Sequence, residues 1–164
     1  MGSGIDEEIR DRLVIVLRVL IVLGGALPWW IPLARSSSPD ATIGRMLDGA
    51  FIPFCHRLPD RSLELAGVWM PVCSRCAGMF AGFAFGAILA LPRWSIRTWR
   101  VVIATATVAM ITDVVTQDLG IHSVSHPLRL ATGAALGYAI VAAFVAAVRF
   151  PERATSGRPS RRIR

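Results

Sequence analysis

Four stretches of this chain, residues 13–33, 71–91, 99–119 and 128–148, are apolar over lengths that match a bilayer core. Crossing a membrane takes roughly 20 such residues. Lipid offers no hydrogen bonds, so each stretch must satisfy its own backbone, and a helix does that within one segment. The sequence therefore predicts an all-α integral membrane protein with four transmembrane helices. The first stretch lacks a short apolar core ahead of a small-residue cleavage site, so it reads as an uncleaved anchor. Trp29, Trp30, Trp94 and Trp99 stand at the stretch ends, where amphipathic rings favour the membrane interface.

Charge sets the expected orientation. All 18 basic residues are arginine, and the formal net charge is +7. They flank the apolar blocks and form no stripe on a soluble domain, which argues against nucleic-acid binding. Arg93, Arg97 and Arg100 lie between the second and third stretches, and Arg149, Arg153, Arg158, Arg161, Arg162 and Arg164 in the tail. Positive loops stay cytoplasmic, which puts both termini inside a bacterial or archaeal inner membrane. The expected organisation is a cytoplasmic segment 1–12, one membrane domain 13–149 with an outer segment 34–70, and a disordered basic tail 150–164. Arg18 falls within the first stretch and is expected to snorkel to its inner end.

In the outer segment, residues 36–40 read as a turn. Ile43, Leu47, Ala50, Phe51 and Phe54 then recur at helical spacing, with Arg45 and Asp48 off the stripe. That pattern predicts a short amphipathic helix on the outer interface. It leads to Cys55 and His56. Arg57 and Arg61 follow; this orientation places them outside, against the rule, so they are candidates for holding an anion.

Gly78, Gly82 and Gly86 recur every fourth residue in the second stretch, as do Gly133 and Gly137 in the fourth. Such seams allow helices, or a partner membrane protein, to approach closely. If the two seams meet, Arg129 and Arg75 converge near the outer surface and form a candidate pocket for a carboxylate or phosphate. Asp113 lies about 21 Å into the third stretch. Gln117 is one turn farther out on the same face. An intramembrane carboxylate marks either a functional site or a partner for Arg129 or Arg75.

The cysteines are the main reactive groups. Cys73 and Cys76 would share a helix face roughly opposite the glycine seam, and Cys55 and His56 precede them. Cys55, His56, Cys73 and Cys76 form a Cys3His set, a common structural zinc shell, with His122, His126 or Asp113 as substitutes for His56. An open position on such a metal would make hydrolysis through bound water accessible. Alternatively, a CxxC at a helix N-terminus is the pattern of thiol–disulfide exchange, with Cys55 as a shuttle thiol. A third reading is one structural disulfide and a buried thiol.

Cys55-His56-Arg57, Arg61-Ser62, Pro71-Val72-Cys73, Arg75-Cys76, then Asp113, Gln117 and Gly120, then Arg129, Gly133 and Gly137 form an ordered series. It resembles a family of small bacterial and archaeal membrane proteins catalogued as domain of unknown function 2085. The resemblance covers most of residues 50–140 and departs from the family at Ser123-Val124-Ser125-His126. It implies a multi-span membrane protein and groups the cysteines with Asp113, Gln117 and Arg129 in one site, without an assigned activity.

The combined expectation is a zinc-binding membrane protein with a polar Asp113, Gln117, Arg75 and Arg129 pocket for an anionic lipid or small ligand. The alternatives are a membrane thiol oxidoreductase and a non-enzymatic subunit or assembly factor. Asp113, Gln117 and Arg129 are the candidate catalytic groups, and the sequence does not decide whether the protein is an enzyme.

Overall fold

In the computed structural model, residues 2–37, 42–53, 55, 58–89 and 94–149 are described. Helix α1 spans Gly2–Ser37 and α2 spans Thr42–Ala50. A single 3-10 turn at Pro59–Arg61 leads into strand β1, Ser62–Leu65, and then β2, Val68–Cys73. Helices α3, α4 and α5 span Ser74–Ile88, Ile96–Asp118 and His126–Arg149. Ser36 and Ser37, expected in a turn, finish α1 and donate their hydroxyls to the Leu33 carbonyl. Residues 38–41 of that expected turn, and the tail 150–164, lie outside the described residues.

Three helical segments, Glu8–Ser37, Ile96–Asp118 and His126–Val148, are long and apolar enough to cross a membrane. The expected second span is different. Its helix has 15 residues. That is about 22 Å of rise, less than a hydrocarbon core of about 30 Å. The residues from Pro71 that were to begin it are strand.

The two-stranded sheet corrects the all-α expectation. Its antiparallel register pairs Leu65 with Val68 and Glu64 with Trp69. The connection is two residues long, and both Ala66 (φ 53°) and Gly67 (φ 75°) are left-handed. That backbone matches the twist of a tight hairpin, and glycine adopts it without strain. A bulge separates the Glu64 pair from the pairing of Ser62 with Cys73. Pro71, which has no N–H to give the ladder, lies opposite this irregular stretch. The sheet ends by turning Cys73 directly into α3.

The glycine seams do meet. A Cβ added to Gly78 would strike the Leu130 backbone, one on Gly82 the Ala134 and Tyr138 backbone, and one on Gly133 or Gly137 the Arg75 or Met79 backbone. Residue numbers ascend together in both helices, so α3 and α5 run parallel. On the other side Gly25 of α1 meets Phe80 and Ala84 of α3. Helix α4 packs on α5 through Trp99, which is buried against Ala139, Ala142 and Ala143. Three alanines open room for the Trp99 ring, while Trp30 and Trp94 stay exposed.

Arg18 donates through Nε to the Ala87 carbonyl (2.5 Å) and through an Nη to the Ile88 carbonyl (2.8 Å). These carbonyls end α3 and have no partner within it. The arginine thereby caps a short helix whose end would otherwise be bare.

Candidate functional site

Three elements bring the cysteines together. Cys55 follows α2, Cys73 is the last residue of β2 and the N-cap of α3, and Cys76 is in the first turn of α3. Cys73 has extended backbone angles (φ −68°, ψ 160°). The two therefore do not share a helix face as expected from a helix that is regular from Cys73. Their Sγ atoms nevertheless lie, with that of Cys55, within 4.8 Å of one another. All three thiols are free. The Cys73 N–H donates to Cys55 Sγ at 3.1 Å.

This group sits in the main core, among Ile31 of α1, Phe51, Met70, Val72 and Ala77, with Leu130 of α5 against it. The cysteines were expected to look away from the last span. They meet the start of α5 because the seams draw its first turn against α3.

The Cys73 thiol interacts with the Cys76 and Cys55 thiols and with the Arg129 guanidinium.

A polar layer adjoins the sulfurs. Arg75 donates to Asp113 Oδ2 at 2.5 Å. Arg129 donates to Gln117 Oε1 at 2.9 Å. The two arginines are thus each tied to α4, and Asp113 is the partner of Arg75. Arg129 is 2% exposed and has no carboxylate partner among the described residues. His122 Nε2 lies 2.9 Å from Thr116 Oγ1 and 3.9 Å from Asp113 Oδ1, reaching this layer from the loop.

The remaining candidates lie elsewhere. Arg61 is beside Asp60 and Asp118 at 3.8 and 3.7 Å, apart from the buried pairs. His56, Arg57 and Phe54 lie outside the described residues. Among the described residues, His122, His126 and Asp113 do not join the metal-competent group. Asp48, expected off the buried stripe, is buried and accepts from Arg35 at 3.2 Å. The sequence reading missed the Thr116–His122 contact and the Ser74 hydroxyl, which donates to the Arg61 carbonyl at 3.2 Å. Loop and strand geometry create both, and no periodic pattern signals them. The hairpin did have a signal, Gly67 between residues that favour strands.

A family model described as a predicted membrane protein (DUF2085) matches residues 55–143, which include all the residues of the cysteine group and polar layer. The chain belongs to this family. Two archaeal relatives are similar to it along much of their length. An uncharacterized protein of Methanocaldococcus jannaschii is 30% identical over 120 residues, 70% of this chain and 76% of the relative. One of Methanothermobacter thermautotrophicus is 32% identical over 92 residues, 53% of this chain and 82% of the relative. No solved structure matches the chain. Like the DUF2085 family as described, the chain is a membrane protein with apolar helices and unknown function.

Proposed function

We propose that this protein holds zinc on Cys55, Cys73 and Cys76, with His56 as fourth ligand, at the outer face of the inner membrane. The observation that carries this reading is the convergence of three free thiols within 4.8 Å. Tetrahedral zinc with sulfur at about 2.3 Å needs sulfurs about 3.8 Å apart. Arg129 adds support. A buried guanidinium without a carboxylate needs another anion nearby. A thiolate–zinc centre supplies one, whereas a disulfide is neutral.

In this reading, α3 with the preceding strand completes four crossings. The parallel course of α3 and α5 fits both running inward from the cysteine side. Arg97 and Arg100, and the tail arginines, then face the cytoplasm. The zinc centre pins the outer segment onto α3. Arg75 and Asp113 neutralise each other, which leaves Arg129 as the cation of the polar layer without a carboxylate, and the thiolate–zinc centre is read as its counter-charge. The centre is therefore read as structural first, with the polar layer as its support.

The test is metal content of detergent-purified protein. About one zinc per chain is expected, lost in Cys73→Ser/Cys76→Ser. Folded wild-type protein without metal would overturn the reading.

One observation favours a second function. Cys73 at the N-cap of α3, with Cys76 in the following turn, is suited to thiol–disulfide exchange. Closing a Cys73–Cys76 disulfide would release two electrons and two protons, which a quinone takes up as quinol. Thiol trapping that finds the pair oxidised, and reversibly reduced in cells, would select this function over zinc.

A further inference from the structure

At the opposite end of α3 from the cysteines, α1 and α3 leave a groove of about 330 Å³. Its walls are Ile15, Val19, Val22 and Leu23 of α1 with Ala87 and Ile88 of α3. Arg18 is its one charged lining residue. The two bonds to α3 carbonyls occupy two of the five guanidinium N–H donors. No acidic side chain pairs with Arg18 among the described residues. A cation at membrane depth with donors to spare, set in an apolar groove, is half of a recognition site.

We propose that this groove binds an anionic phospholipid, with one acyl chain along residues 15–23 of α1 and the phosphate on Arg18. The dimensions fit. Residues 15–23 span about 12 Å of helix, the length of a substantial part of an acyl chain. Ile15, Val19 and Leu23 are more than half exposed, so they offer apolar surface without any repacking. Arg18 follows Arg12 by about 9 Å of helical rise, so a phosphate near the interface is within reach of its long side chain. An uncharged lipid fits the apolar walls equally well and gains nothing from the guanidinium. The preference for an anionic headgroup is therefore the signature of the site.

The experiment is native mass spectrometry of the full-length protein in detergent, titrated with phosphatidylglycerol or phosphatidylcholine of identical acyl chains. Wild type should bind phosphatidylglycerol about fivefold more tightly, the worth of one arginine beside an anionic headgroup. Arg18→Gln should abolish that preference, and Arg18→Lys should keep most of it. Because Arg18→Gln also uncaps α3, Val19→Trp provides an independent variant: it fills the groove, leaves Arg18 in place, and should weaken binding of both lipids. Equal affinity of wild type for the two lipids would overturn the proposal. So would an unchanged preference in folded Arg18→Gln, unchanged binding in Val19→Trp, or full displacement of phosphatidylglycerol by inorganic phosphate.

Discussion

The Arg129 guanidinium donates to the Gln117 carbonyl oxygen across 2.9 Å, and both side chains are more than nine-tenths buried. Gln117 is neutral, so the contact orients the cation without cancelling its charge. The guanidinium also interacts with the Cys73 thiol. Arg129→Met should lower the stability of the protein by about 3 kcal/mol, the scale for stripping one member from a buried charge pair. Arg129→Lys keeps the charge and should cost less. Denaturation in mixed SDS micelles, with zinc content followed alongside, measures both.

The Arg75–Asp113 pair makes a sharper statement about the same layer. Asp113→Asn leaves a buried guanidinium without its carboxylate, at a cost of about 3–5 kcal/mol. Adding Arg75→Gln removes the stranded charge and should recover part of the loss. A double-mutant cycle by the same denaturation assay checks this; additive losses would show that the two are not coupled.

The α3–α5 seam can be tested against a control within the same protein. A Cβ on Gly82 would overlap the Ala134 backbone, whereas one on Gly24 has nothing within 4 Å. Gly82→Ala should destabilise by about 1–3 kcal/mol or more, since backbone cannot step aside. Gly24→Ala should be neutral or slightly stabilising, by at most about 1 kcal/mol, because alanine is the better helix former.

Much of the architecture was legible in the chain. Apolar length located α1, α4 and α5, because a helix that satisfies its own backbone depends on local composition alone. Glycine spacing located the seam, because close approach needs the missing Cβ. Asp113 and Gln117 declared themselves one turn apart by being polar where lipid was expected. The hairpin was harder to read: Met70, Pro71 and Val72 look like the start of an apolar helix, and they are buried strand instead. Local hydropathy cannot separate the two for so short a run.

The sequence by itself determined a membrane protein of apolar helices, a glycine-lined contact and a supply of thiols next to a few costly charges. Only the tertiary structure decided who meets whom. It assigned Asp113 to Arg75, left Arg129 to Gln117 and the sulfurs, and turned Arg18 inward onto the end of α3. The reason is physical. Helix formation and membrane partition are summed over neighbours in the chain. The partner of a buried charge is set by how the helices pack, as where the glycine seam fixes α5 against α3.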